Sequence, residues 1–91
     1  MTSKLVTIKS SAGIHAKTAA VFVKMANKFP CDIIIEKENV KINGKSIMGI
    51  MMLALTRGSQ VLLSAQGDRE EEAVEELSKL IESDFAANDL R

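Results

Sequence analysis

The chain has no tryptophan or tyrosine and only three phenylalanines, so it offers few planar side chains on which nucleobases could stack. Its one cysteine, Cys31, excludes an internal disulfide and suits a reducing compartment. One histidine and one cysteine, far apart in sequence, do not make a metal-ligand set. Neither a Ser-His-Asp nor a Cys-His hydrolase is supported, and so short a chain offers no obvious deep substrate cleft. No metal and no cofactor is expected. No apolar run approaches the ~18 residues of a membrane span. Met1 leads into polar Thr2-Ser3-Lys4 rather than an apolar signal segment. The expectation is a cytoplasmic protein without membrane insertion.

What is present is a chain of 91 residues, 46% of them hydrophobic. That length predicts a single domain over residues 1–91, able to bury roughly two-thirds of its unfolded surface. The charges sum to zero but are lopsided. Residues 1–57 hold nine Lys/Arg against three Asp/Glu, a net of +6, and residues 58–91 hold three against nine, a net of −6. Two solvated faces account for this, and so does a basic surface that steers an acidic partner. Direct nucleic-acid binding is the weaker reading, since the basic residues are scattered and lack interleaved aromatics.

Residues 4–9 alternate polar and apolar, with Val6 and Ile8 on one face of a half-buried strand. Ser10-Ser11-Ala12-Gly13 is turn material. From residue 16 to about 29 the period becomes helical, with Ala19, Phe22, Val23, Ala26 and Phe29 on the core arc and Lys17, Lys24 and Lys28 opposite. Pro30 is read as the stop. Residues 31–36 form a β-branched strand, Lys37-Glu38-Asn39 a turn, and residues 40–42 the return of a hairpin. Residues 46–55 read as a helix, residues 61–65 as a fourth strand. The last segment is a helix with the apolar stripe Ala73, Val74, Leu77, Leu80 and Ile81. A capping box from Asp68 to Glu71 is expected at its start, with Glu71, Glu75, Ser78 and Glu82 facing water and fraying past Phe85. The order β-α-β-β-α-β-α predicts an α+β fold with an antiparallel sheet and its helices on one face.

Two residues stand out chemically. His15 lies between a glycine-bearing turn and a helix start that has no Ser, Thr, Asp or Asn immediately before it. A ring nitrogen could therefore cap the first turn, an unusual cap with no chemistry. The sharper reading is a nucleophile. Imidazole is partly neutral at cytoplasmic pH, the helix N-terminus and Lys17 both disfavour the cation, and the same amides could receive a phosphoryl group. Ser46 opens the second helix after Gly44-Lys45. It reads as a plain N-cap worth ~1 kcal/mol, or as a site whose phosphorylation places negative charge where the dipole tolerates it. The helix after it is apolar on more than one side. Ile50 and Leu53 suit the core, which leaves Ile47, Met48 and Met51 partly outside as an adaptable docking surface, unless the whole helix is buried.

Together these residues resemble the HPr family, the histidine-phosphorylatable carriers of the bacterial phosphotransferase system. The likeness runs from Lys4 to about Phe85. It rests on Ser11-Ala12-Gly13-Ile14-His15-Ala16, on Lys45-Ser46-Ile47-Met48-Gly49-Ile50-Met51, and on Ala65-Gln66-Gly67-Asp68 before an acidic helix. The serine motif looks like the form found in Gram-positive bacteria. The resemblance implies an open-faced β-sandwich of four antiparallel strands and three helices. It implies a carrier with a phosphohistidine at His15, rather than a stand-alone enzyme. His15 would be charged by enzyme I from phosphoenolpyruvate and discharged to a sugar-specific enzyme IIA, with Ala16 and Lys17 binding the phosphate. It further implies phosphorylation of Ser46 by an ATP-dependent HPr kinase/phosphorylase, followed by docking onto a catabolite-control repressor. Ile47, Met48 and Met51 would form the shared patch, with Ala20, Lys24 and Lys45 beside it. One departure matters: the family's His-Ala-Arg-Pro is here His15-Ala16-Lys17-Thr18. Lysine is a compact charge where arginine is a planar fork, and threonine leaves the first turn looser than proline does. Slower transfer or a less protected phosphohistidine is expected. That opens the alternative of a regulatory paralogue comparable to the Crh proteins of bacilli, which keep the serine switch and lack the histidine. A structural adaptor with neither modification is a third reading.

Overall fold

The structure is a computed structural model and describes residues 1–85. Seven elements follow in the expected order: β1 (Thr2–Thr7), α1 (Ala16–Ala26), β2 (Asp32–Lys37), β3 (Val40–Asn43), α2 (Ile47–Met52), β4 (Gln60–Gln66) and α3 (Glu70–Glu82). The strands form one antiparallel sheet in the order β1-β4-β2-β3, and the fold is the open-faced β-sandwich of the α+β class. Strand alternation sets its two faces. Val6, Ile33, Ile35, Val61, Leu63 and Ala65 point into the core, where α1 adds Ala19, Phe22, Val23 and Ala26 and α3 adds its five-residue stripe. Each of the larger side chains contributes ~1.5–3 kcal/mol by leaving water. On the opposite face Leu5 pairs with Leu62, and both are exposed. Among the described residues, no helix is long and apolar enough to cross a membrane.

The connections explain where the expected boundaries move. β2 and β3 are joined through Glu38 and Asn39, both at positive φ (50° and 70°), the two-residue turn whose twist matches a hairpin. Helix α1 ends at Ala26, not near Phe29. Asn27 caps it, and Lys28 and Phe29 donate to Met25 and Ala26 at 3.0 and 3.1 Å in tighter turns. The residue before a proline is kept out of helical geometry, so Pro30 acts a turn early. Phe29 still reaches the core. Helix α2 likewise stops at Met52, because Ala54 turns left-handed (φ 50°) and sends Leu55 inward.

The start of α3 corrects the expected capping box. Arg69, in the left-handed region (φ 64°), is the N-cap and makes no side-chain cap bond. Its guanidinium instead bonds both carboxylate oxygens of Glu72 at 3.0 Å and sits 5.0 Å from the Phe29 ring centroid. The reach-back belongs to Glu70, which accepts from the Gly67 amide at 3.0 Å and the Thr2 hydroxyl at 2.7 Å and pairs with the Met1 ammonium at 3.1 Å. These partners hold its carboxyl down to about 2, the Thr2 hydroxyl first, then the Gly67 amide. Ser78 was expected to face water and is instead buried. Its hydroxyl donates to the Glu75 carbonyl at 3.0 Å and receives Lys4 Nζ at 3.5 Å, which satisfies it inside the stripe. The fraying expected past Phe85 lies outside the described residues.

Candidate functional site

His15 is held by its backbone, not by its ring. The turn before it closes with Gly13 donating to the Ser10 carbonyl at 3.0 Å, and Ile14 donates to the Leu55 carbonyl at 3.0 Å. Gly13 has φ +72°, and a Cβ there would stand 2.5 Å from the Leu55 oxygen, so only glycine fits between the turn and the segment after α2. His15 itself is extended (φ −119°, ψ −174°) and its carbonyl accepts the first α1 bond from Ala19 at 2.8 Å.

The expected ring cap is present only as one arm of a capping box, short of a full side-chain hydrogen bond. The imidazole faces the Thr18 amide in the manner of a capping box but completes no hydrogen bond with it. The bond that is made runs the other way: the Thr18 hydroxyl accepts from the His15 amide at 3.1 Å and lies 3.2 Å from the His15 carbonyl. Thr18, read from sequence as loosening the first turn, closes it. The ring remains exposed, next to the Ala16 and Lys17 positions of a first turn that carries no carboxylate. Such a turn presents amide donors and the positive end of the dipole to an anion, with no competing negative charge. Below it, an apolar void of about 10 Å³ touches Ile14, Phe22 and Leu55, too small and dry for a substrate.

Ser46 is also placed by its neighbours. The Asn43 side chain accepts from the Lys45 amide at 2.9 Å, and the Asn43 carbonyl from the Ser46 amide at 3.1 Å. A Cβ on Gly44 would sit 2.5 Å from Ile33 Cγ2, so glycine lets the chain pass close to β2 on its way to α2. Ser46 Oγ then accepts from the Gly49 amide at 3.0 Å, the expected N-cap. With Ile50 buried, α2 leaves Ile47, Met48 and Met51 39, 73 and 43% exposed, and the reading of a wholly buried helix falls. Met52, 77% exposed, extends the patch and was missed. Its place one turn after Met48 was the available signal.

Helices α1 and α2 pack against each other, and Ala20 and Lys24 are exposed on α1. Lys45 differs from the others: its ammonium donates to the Phe29 carbonyl at 2.7 Å, tying the end of the α1 region to the start of α2. Among the described residues, no group of three His, Cys, Asp or Glu side chains could hold a metal ion.

Three comparisons bear on this arrangement. The family model described as the PTS HPr component phosphorylation site matches residues 2–83. The HPr-like protein Crh of Bacillus subtilis is 42% identical over 84 residues, 92% of this chain and 99% of that protein. The phosphocarrier protein HPr of Pseudomonas putida is 40% identical over 86 residues, 93% of this chain and 96% of that one. In three dimensions, the crystal structure of HPr-C-His from Thermoanaerobacter tengcongensis superposes with a TM-score of 0.90 at 52% identity, over 93% of this chain and 96% of that one. The fold and the exposed histidine turn define a small phosphocarrier-type domain. The chain belongs to the HPr family of the phosphotransferase system.

Proposed function

We propose that the protein relays a phosphoryl group through His15, from enzyme I to enzyme IIA domains, in the cytoplasm. The observation that carries this reading is an exposed imidazole, uncommitted to any completed hydrogen bond, at the open first turn of α1. A neutral ring nitrogen attacks the phosphorus held on enzyme I, which phosphoenolpyruvate has charged. The new N–P bond forms as the bond to the donor breaks, and the reverse exchange delivers the group to enzyme IIA. The Ala16 and Lys17 amides and the Lys17 ammonium receive the charge. The Thr18 hydroxyl fixes the His15 backbone while this happens. Incubation with phosphoenolpyruvate and enzyme I gives an acid-labile, base-stable phosphate that His15→Ala abolishes. No label at His15 after long incubation with an active cognate enzyme I ends this reading.

Ser46 supports a second, regulatory use of the same domain. Its hydroxyl lies at the N-terminus of α2 beside an exposed apolar patch. Phosphorylation by an ATP-dependent HPr kinase/phosphorylase adds a dianion there without burying it, and the modified protein docks onto a catabolite-control repressor through Ile47, Met48 and Met51. Ala20 and Lys24 border the patch for enzyme I as well. A Crh-like corepressor acting through Ser46 alone is the alternative, and the retained His15 argues against it. One phosphate from ATP, lost in Ser46→Ala, is expected; unchanged repressor affinity after stoichiometric modification sinks the corepressor role.

A further inference from the structure

Three of the chain's five methionines fall within the six residues of α2. Met48, Met51 and Met52 are spaced three and four residues apart, so their thioethers share one outward surface. They are far more exposed than the thiol of Cys31, which is 2% exposed and lies in the core. Met25 is half-buried. An oxidant in solution therefore meets α2 before it meets the core, and it meets a thioether before a thiol. The core-facing residues of this stretch, Ile50 and Leu53, contain no sulfur. A polar atom added to the outward methionines leaves the packing beneath them intact.

We propose that Met48, Met51 and Met52 are an oxidation site through which hydroperoxides switch off docking at α2. The inference rests on the reading of α2 as a docking patch. The sulfur lone pair attacks the distal oxygen of the peroxide, an S–O bond forms and the O–O bond breaks. The peroxide leaves as water, or as an alcohol from an organic hydroperoxide, so the sulfur is oxidised and the peroxide reduced. The sulfoxide is a strong acceptor set among Ile47 and the methionine side chains, in an apolar patch that Ala20 and Lys24 only border. A partner that packs against that surface must bury the S=O without a donor, whereas it buries the thioether readily. Methionine sulfoxide reductases return the thioether, so the block is reversible.

The experiment treats the full chain with dilute hydrogen peroxide and maps oxidation by peptide mass spectrometry. Binding to phosphorylation-competent enzyme I is then measured before and after treatment. Addition of one oxygen each to Met48, Met51 and Met52, an unchanged circular dichroism spectrum and docking weakened roughly tenfold or more are expected. Reductase treatment restores binding. In Met48→Leu/Met51→Leu/Met52→Leu the ratio of docking after to before treatment stays near one, whatever the leucines do to docking itself. Met1 is just as exposed and remains oxidisable in that variant, so it serves as the internal control. Equal docking by oxidised and untreated wild type overturns this inference alone. Untreated protein that does not bind enzyme I overturns both this inference and the docking reading beneath it.

Discussion

The starts of α1 and α2 face the same problem, a first turn of amides without intrahelical partners, and they solve it with opposite consequences. At α2 the group proposed to be modified is itself the cap: Ser46 Oγ holds the Gly49 amide at 3.0 Å. At α1 the cap is a neighbour: the Thr18 hydroxyl holds the His15 amide at 3.1 Å, and the imidazole completes no hydrogen bond. Loading a group onto Ser46 therefore displaces or replaces a structural hydrogen bond, while loading one onto His15 breaks no completed side-chain hydrogen bond. The first geometry suits a switch set and reset by dedicated enzymes, the second a carrier that turns over repeatedly.

The largest expected effect breaks the comparison at its functional end. His15→Ala should abolish labelling by enzyme I and phosphoenolpyruvate completely, yet change unfolding stability by no more than about 0.5 kcal/mol, because an exposed ring without a completed bond is removed. A loss above 2 kcal/mol in urea denaturation would mean that the ring is structural after all. Next comes the support shared by both regions. Gly13→Ala drives a Cβ to 2.5 Å from the Leu55 carbonyl at a positive φ. It should destabilise the protein by about 2–3 kcal/mol and slow labelling as the His15 turn shifts. Stability and rate both unchanged would remove the Leu55 segment from the account of how His15 is placed.

Most of the fold could be read from period and turn chemistry, because each element carries its own local instruction. The three-residue Ile33-Ile34-Ile35 run, the Glu38-Asn39 turn and the α3 stripe needed no partner to be recognised. What could not be read were contacts between segments distant in sequence. Arg69 takes a left-handed conformation and Glu70 reaches to Thr2, 68 residues away, so an Asp68 cap looked sufficient from the local string. Ser78 lies on the boundary of the α3 stripe, where only the approach of Lys4 tells buried from exposed. The site shows the same division. His15 and Ser46 were marked by local features, a glycine turn and an N-cap position. Lys45 was read as a docking charge, and its bond to the Phe29 carbonyl depends on where α1 ends. Thr18 was judged by what it lacks relative to proline, and its hydroxyl turned out to accept from the His15 amide, a contact that proline cannot make.

Ser46→Ala sharpens the contrast in the other direction. Loss of the hydroxyl leaves the Gly49 amide without its acceptor and should cost ~1 kcal/mol by urea denaturation, where His15→Ala costs little. A smaller step separates the two departures at α1. Lys17→Arg should raise the transfer rate severalfold by offering a planar fork to the phosphoryl group, with stability unchanged. Thr18→Val keeps the shape and deletes the acceptor of the His15 amide, and should cost about 0.5–1 kcal/mol and slow transfer, with Thr18→Ser restoring both. Lys17→Arg/Thr18→Pro should still be faster than the native chain, because the arginine fork outweighs the loss of the Thr18 acceptor. An unchanged rate in stopped-flow labelling would show Lys17 and Thr18 to be fully adequate.

The start of α3 gives the smallest effect and the third case in the comparison, a helix terminus closed for structure alone. Glu70 is held well below its ordinary value of 4.5, down to about 2, by the Thr2 hydroxyl, the Gly67 amide and the Met1 ammonium, in that order. A carboxyl whose value is depressed in the folded state stabilises the fold fully above its unfolded value, and that contribution is lost as pH falls through the folded one. Stability should therefore decline on acidification between about pH 4.5 and 2, and Glu70→Gln should flatten part of that decline while leaving labelling at His15 untouched. Glu72, lowered chiefly by its hydrogen bond to Arg69, contributes in the same direction, so the slope is reduced and not abolished. Identical acid limbs in the two proteins would mean that the β1–α3 latch is open in solution, and that α3 is anchored to the sheet by its apolar stripe without help from its N-terminus.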